Sequence, residues 1–169
     1  PDIIKYLVPG CGFGGSCFSK DLKALRSQGN KLNLNMRMIN SVLETNEAQP
    51  HEVVNILKNE IGNLKDKKIL LLGLAFKPGT DDVRESPALK IASDFLNNEA
   101  LLYAHDPVAQ TNFKQALKEK SDKIRFVENW VEILNLIEIV IIVSPWDEYL
   151  QLTNIDIRDK IIFDARGFF

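Results

Sequence analysis

A cysteine, a lysine and an aspartate follow a glycine-rich loop near the start of the chain, at a spacing suited to covalent chemistry. The loop contains four glycines, Gly10, Gly12, Gly14 and Gly15. Glycines let a backbone take positive φ and approach a ligand closely. Cys17 ends the loop, and Lys20 and Asp21 follow it. If a helix begins here, Asp21 shares a face with Cys17, and the helix N-terminus favours an anion such as a thiolate. Such a trio could form a covalent catalytic site.

The same residues also have a plainer interpretation. A glycine-rich loop with one cysteine is compatible with a flexible turn and a packed thiol that does no chemistry. Cys11 lies six positions before Cys17, so the two are not the C-x-x-C pair of a redox motif. His51 and His105 are the only histidines, and we predict no metal site. Spacing alone leaves both a catalytic site and a structural loop open.

Helical patterning dominates the chain from the loop to about residue 62. Apolar residues recur there at helical spacing, which predicts a long helical segment. Pro50 lies inside the pattern, lacks an N–H and clashes with the carbonyl of Asn46. We therefore expect a kink or break near residues 46–50.

Beyond Gly62 the pattern changes to alternating strands and helices. Apolar runs predict strands near residues 68–73, 101–104, 124–127, 139–143 and 160–164. Helices are predicted near residues 86–96, 109–119 and 130–136, the first with Ser86 as N-cap and Pro87 as its first residue. We predict an α/β fold: a Rossmann-like, mostly parallel sheet domain over residues 63–169, preceded by the glycine loop and a long helical segment over residues 1–62.

Composition excludes several classes of protein. The 169 residues carry a net charge of -2, which gives no electrostatic footprint for nucleic acid. No apolar run approaches the roughly 20 residues needed to cross a bilayer, and no signal peptide opens the sequence. Two cysteines fit a reducing compartment. We predict a cytoplasmic globular protein without nucleic acid or membrane partners. The start at Pro1 rather than Met suggests a piece of a longer protein.

Two sequence blocks resemble signatures of one enzyme family. Gly12-Phe-Gly-Gly-Ser-Cys-Phe-Ser-Lys-Asp21 resembles the catalytic-cysteine signature of the UDP-glucose/GDP-mannose dehydrogenase family. Gly73-Leu-Ala-Phe-Lys-Pro-Gly-Thr-Asp-Asp-Val-Arg-Glu-Ser-Pro87 resembles that family's C-terminal domain signature. The blocks are independent and stand in the family's order. The resemblance covers essentially the whole chain and fades between about residues 108 and 137.

The resemblance implies a mechanism. Enzymes of this family oxidise the C6 hydroxyl of a nucleotide sugar to a carboxylate with two NAD molecules in succession. Cys17 would capture the intermediate aldehyde as a thiohemiacetal, whose oxidation gives a thioester that water hydrolyses. Asp21 matches the aspartate that orients water and assists proton transfer. Phe13 and Ser16 favour oxidation of UDP-glucose to UDP-glucuronate over the UDP-N-acetylmannosamine branch, whereas GDP-mannose stays open.

The resemblance also implies binding residues. It assigns nucleotide-sugar binding to Phe13, Gly14, Gly15, Phe76, Lys77 and Arg166, with Lys77 suited to a diphosphate. It assigns contact with NAD to Lys20 and Arg84. Without the motifs, Arg84 would be interpreted as a surface arginine paired with Asp82 or Glu85, and Arg166 as a solvated terminal charge. It further implies a homodimer through the central helix.

One departure from the family pattern limits the expected activity. No Gly-x-Gly-x-x-Gly fingerprint opens a βα unit, since the turn Gly73–Gly79 has the wrong glycine spacing for a dinucleotide. We therefore expect NAD to be bound mainly by a separate N-terminal domain, and this chain alone not to turn over. A non-catalytic module that dimerises and binds a nucleotide sugar is the alternative. A receiver-like signalling domain would leave the Cys17 loop unexplained.

Overall fold

Five short apolar segments form a parallel sheet in the computed structural model, which describes residues 8–169. The strands are β1 (Lys68–Leu72), β2 (Leu101–His105), β3 (Ile124–Phe126), β4 (Ile139–Ile142) and β5 (Ile161–Asp164). Their order is β3-β2-β1-β4-β5, and every neighbouring pair is parallel. Leu70 of β1 pairs with Tyr103 on one side and Val140 on the other. The predicted Rossmann-like α/β fold is confirmed.

The central strands are apolar throughout because the sheet is covered on both faces. Ile69 and Leu71 face one hydrophobic cluster, which includes Phe95 of the following helix. Leu70 and Leu72 face a second cluster, which includes Tyr149. Since successive side chains of a strand point to opposite faces, one run of four apolar residues contributes to both cores.

Within residues 8–169, four α-helices and three 3-10 helices accompany the sheet. The α-helices are α1 (Phe18–Lys31), α2 (Arg37–Ile61), α3 (Pro87–Asn97) and α4 (Gln110–Leu117). The 3-10 helices span Lys118–Lys123, Val131–Leu136 and Asp147–Asn154. Helix α3 begins as predicted, because the Ala88 N–H donates to Ser86 Oγ at 3.3 Å and Pro87 is its first residue. The last 3-10 helix was not predicted from the sequence.

The long helical segment consists of two helices, and the predicted break at Pro50 is absent. A turn separates α1 from α2, and Gly29, near the end of α1, is buried against the side chain of Met36. Helix α2 continues through Pro50, whose ring is buried. A bend at this proline stays a prediction. Pro50, on which the predicted break depended, is therefore part of a packed surface of α2.

Helix α2 connects the glycine loop to the sheet. Its C-terminal half contributes Val53, Val54 and Leu57 to the main core. Its middle is joined to α3 by two contacts one helical turn apart, the ion pair of Glu47 with Lys90 at 2.7 Å and a hydrogen bond between His51 Nδ1 and Asp94. These contacts hold the loop, which rests on α2, at one place relative to the sheet. No helix within residues 8–169 has the length and apolarity to cross a membrane.

Candidate active site

Cys17 lies at the start of α1 with its side chain exposed to solvent. The Asp21 N–H donates to the Cys17 carbonyl at 2.8 Å, so the first turn of the helix begins where the spacing predicted. Lys20 and Asp21 are also exposed on this turn. Ser16 Oγ lies 3.6 Å from Cys17 Sγ. The thiol, the ammonium and the carboxylate thus share one open helix end, accessible to a substrate.

The glycine loop packs against the segment that follows β1. The Gly15 N–H donates to the Arg84 carbonyl at 2.8 Å. Gly15 has a φ of +90°, and a Cβ there would lie 3.0 Å from the ring of Phe76. Glycine is required at this position because both the positive φ and the close approach exclude a side chain. Gly14 lies against the Glu85 carbonyl. The two sequence blocks therefore meet in space.

Arg84 forms a surface ion pair with Asp82, as expected for this arginine when the family motifs are left aside. Its Nε and Nη2 atoms donate to Asp82 Oδ1 and Oδ2 at 2.9 and 2.7 Å. Hydrogen bonding to Arg84 lowers the pKa of Asp82. The Asp82 carboxylate, and to a smaller degree the thiolate form of Cys17, raise the pKa of Arg84. The segment that carries Arg84 contacts the glycine loop, because the Arg84 carbonyl accepts the hydrogen bond from the Gly15 N–H.

Arg166 is not a solvated terminal charge, since its side chain returns to the glycine loop. A Cβ on Gly10 would lie 2.7 Å from Arg166 Nη1. Asp164, at the end of β5, shapes the turn by accepting hydrogen bonds from the N–H groups of Arg166 and Phe169 at 2.9 and 3.0 Å. Arg166 and Phe13 line a cleft of about 670 Å³ between the loop and α2.

Lys77 projects from the exposed turn after β1. Its Nζ lies 5.5 Å from the centroid of the Phe76 ring. No carboxylate in the described part of the chain forms an ion pair with it. The position suits an anionic ligand that comes to rest beside Phe76.

The two cysteines should differ sharply in reactivity. Cys11 is only 5% exposed, and burial raises the pKa of its thiol to about 11. At pH 8 only about 0.1% of such a thiol is thiolate, the reactive form. We expect iodoacetamide at pH 8 to modify Cys17 at least about tenfold faster than Cys11 in the native chain. Peptide mass spectrometry after timed labelling measures both rates, and equal rates would contradict this arrangement.

The edge of the sheet where Rossmann folds bind a dinucleotide is occupied by a side chain of this protein. A pyrophosphate there needs free backbone N–H groups at the end of the first strand. The N–H groups of Leu74 and Ala75 instead donate to Asp106 Oδ2 at 2.7 and 3.3 Å. Gly73 is packed against the backbone of Ser144. A buried carboxylate here would repel a phosphate, so this crevice does not fit NAD.

Sequence reasoning missed three residues that organise these surroundings. Asn46 bonds to the glycine loop, Asp106 caps the strand ends, and Asp164 shapes the turn of Arg166. The only local signals were an asparagine one turn before Pro50 and aspartates at two strand ends. Among residues 8–169, no group of three or more His, Cys, Asp or Glu side chains stands together as a metal site would require.

Comparisons with known proteins found matches that cover both sequence blocks. Residues 70–169 match the family model described as "UDP-glucose/GDP-mannose dehydrogenase family, UDP binding domain", and residues 1–48 match its central domain. A UDP-glucose 6-dehydrogenase of Rickettsia conorii is 35% identical over 96% of this chain. The YwqF UDP-glucose 6-dehydrogenase of Bacillus subtilis is 32% identical over 96% of it. The chain spans 38% and 37% of these relatives' lengths.

Two solved structures have closely similar folds. A UDP-glucose dehydrogenase from Pyrobaculum islandicum superposes with a TM-score of 0.85 at 38% identity, over 94% of this chain and 35% of that one. A GDP-mannose dehydrogenase from Pseudomonas aeruginosa superposes with a TM-score of 0.84 at 26% identity, over 96% of this chain and 38% of that one.

Proposed function

Because the chain belongs to the UDP-glucose/GDP-mannose dehydrogenase family, we propose that it is part of an NAD-dependent enzyme that oxidises UDP-glucose to UDP-glucuronate. One observation carries the proposal. The glycine loop that ends in Cys17 lies against Phe76 at Gly15 and against Arg166 at Gly10. A nucleotide sugar bound by Phe76 and Arg166 would therefore lie beside the loop that presents the thiol.

Cys17 supplies the nucleophile in this proposal. Its sulfur adds to the carbon of the C6 aldehyde while the carbonyl oxygen takes a proton, which gives a thiohemiacetal. Loss of a hydride from that carbon, together with loss of the proton from its hydroxyl group, leaves a thioester. Asp21, one helical turn away, orients the water that hydrolyses the thioester and accepts its proton. A thiol suits both stages because it adds readily to aldehydes and is a good leaving group.

Two cationic side chains, two aromatic rings and two glycines form the proposed substrate site. Lys77 and Arg166 provide the positive charge for the diphosphate, and Phe13 and Phe76 provide apolar surface. The close approach of Gly14 and Gly15 completes the wall of the site.

NAD supplies the hydride acceptor for the reaction. The described sheet does not fit it, so Lys20 and Arg84, beside the thiol, are the proposed contacts from this chain.

The protein is further proposed to be cytoplasmic, in keeping with its two free cysteines, and to dimerise through α2. The exposed side chain of Met38, with 79% of its surface open to solvent, supports that surface of α2 as the contact.

The stoichiometry of the reaction tests this function. We expect the protein produced from its own gene to release about two NADH for each UDP-glucose consumed in excess NAD. One NADH per sugar would contradict the double oxidation on which the role of Cys17 depends. No NADH with UDP-glucose, but two with GDP-mannose, would favour the second candidate function, which the TM-score of 0.84 supports.

Removal of the Lys77 charge should weaken the binding of the nucleotide sugar more than the binding of NAD. For Lys77→Ala we expect the KM for UDP-glucose to rise at least about tenfold, since a charge-assisted hydrogen bond to phosphate contributes roughly 1.5–3 kcal/mol. The KM for NAD should change less than about twofold. Steady-state kinetics with each substrate varied in turn measures both constants.

Lys114→Ala is the matched control for this variant. Lys114 Nζ also lies over an aromatic ring, that of Phe126, at 4.5 Å from the centroid, but on α4. We expect no change in either KM. Equal losses for UDP-glucose and NAD in Lys77→Ala would show that Lys77 does not bind the sugar nucleotide.

A further inference from the structure

The side chain of Asn46 makes two hydrogen bonds to a single residue of the glycine loop. The Phe13 N–H donates to Asn46 Oδ1 at 2.7 Å. Asn46 Nδ2 donates to the Phe13 carbonyl at 3.1 Å. A planar amide that pairs with both polar groups of one residue determines the position and the orientation of that residue together.

We propose that Asn46 is a positioning residue, which holds the Phe13 segment of the loop in the shape that binds the nucleotide sugar. The proposal rests on the proposed function in one respect, the role of Phe13 as a substrate contact. In this proposal Asn46 acts through the loop backbone, and its side chain also borders the cleft lined by Phe13 and Arg166. It lies 33 positions from Phe13 in sequence, on a different element.

A glycine-rich loop needs such an anchor. Its glycines give the free loop many conformations, and ordering them costs conformational entropy. In the described part of the chain, three hydrogen bonds join residues 10–15 to the rest of the protein. Two of them join Phe13 to the side chain of Asn46, and in the third the Gly15 N–H donates to the Arg84 carbonyl. Loss of the Asn46 pair would leave the Phe13 side of the loop without a polar attachment to α2.

The surface of α2 is built to receive the loop at this point. Gly12 has a φ of +116°, and a Cβ there would lie 3.0 Å from Asn46 Oδ1 and 3.7 Å from Pro50 Cδ. Pro50 has no N–H, so the Asn46 carbonyl has no helical donor four residues on. The loop packs at Gly12 against this turn of α2, so the buried Pro50 is part of the same contact as Asn46. Asn46 is thereby held on a rigid helix that packs on α3.

Two measurements on the full 169-residue chain test the role of Asn46. Hydrogen exchange by NMR reports the opening of the Phe13 amide, and isothermal titration calorimetry reports the affinity for UDP. For Asn46→Ala we expect the Phe13 amide to exchange at least about tenfold faster, since 1.4 kcal/mol corresponds to tenfold. We expect UDP to bind about tenfold more weakly, while exchange of the core amides of Leu70 and Leu71 stays unchanged.

Asn55→Ala is the matched control, because Asn55 is exposed on the same helix and its side chain bonds, within residues 8–169, only to Glu52, at 3.1 Å. Both substitutions raise helix propensity equally, so any difference between them arises at the loop. Asn46→Asp provides a second variant. It retains an acceptor for the Phe13 N–H but turns an oxygen towards the Phe13 carbonyl. We expect its UDP affinity to fall as well, with a smaller increase in exchange.

The outcomes separate the two proposals. An unchanged exchange rate of the Phe13 amide in Asn46→Ala would overturn the positioning role, whatever the affinity for UDP. Faster exchange with unchanged UDP affinity would also overturn it, because the loop shape would then be irrelevant to the ligand. If the unmodified chain binds no UDP, the proposed function fails, and the exchange of Phe13 alone decides whether Asn46 holds the loop.

Discussion

Replacement of Cys17 by serine is expected to lower kcat with UDP-glucose by at least about 10³-fold, because a serine hydroxyl is a far weaker nucleophile than a thiolate. Cys17 is exposed, and its described hydrogen-bond contact is with Ser16 Oγ, so the nearly isosteric change removes no buried packing. UDP affinity should therefore stay within about twofold. Initial rates of NADH formation and calorimetric titration with UDP measure the two quantities on the protein produced from its own gene.

Cys11→Ala is the comparison for this variant. Cys11 is buried, and its raised pKa of about 11 disfavours the thiolate. The folded variant is expected to keep most of its activity. If Cys17→Ser turns over as fast as the unmodified protein, the thiol has no part in the chemistry. If UDP binding is lost along with turnover, the cysteine shapes the site rather than reacts.

Replacement of Asp106 by alanine is expected to lower the free energy of unfolding by about 3–5 kcal/mol. Asp106 is 1% exposed, and its carboxylate accepts five hydrogen bonds. The donors are the N–H groups of Leu74, Ala75, Val108 and Ala109 and the Nε1–H of Trp146, at 2.7 to 3.3 Å. Buried donors left without an acceptor cost roughly 1–3 kcal/mol each, and partial access of water reduces the sum. Urea denaturation followed by circular dichroism measures the change.

Asp156→Ala provides the control for the loss of a carboxylate. Asp156 pairs with Arg158 Nη2 at 2.6 Å, but both side chains are exposed, and such pairs contribute little. Its urea midpoint is expected to stay close to that of the unmodified chain. Equal midpoints for Asp106→Ala and Asp156→Ala would mean that the strand ends do not depend on the Asp106 carboxylate.

Local pattern was sufficient for the sheet and for the start of α3. Residues 69–72 are apolar without interruption because both faces of β1 are covered, and that run is recognisable without knowledge of its neighbours. Ser86 and Pro87 identify a helix start because capping involves only adjacent residues. The same reasoning failed at Pro50, where the break expected from local geometry is absent. Pro50 is buried where the glycine loop packs on α2, a contact outside any local window.

The sequence by itself determined the strands, the start of α3 and the chemical types at the candidate site. Cys17, Lys20 and Asp21 lie close together because their spacing of three and four positions matches one turn of the helix that begins there. Only the tertiary structure decided what each loop rests on. Asn46 meets Phe13 across 33 positions, and Asp106 meets Leu74 across 32. Such pairings depend on strand order, helix placement and packing, which act on the chain as a whole, whereas spacing in sequence constrains only residues on the same element.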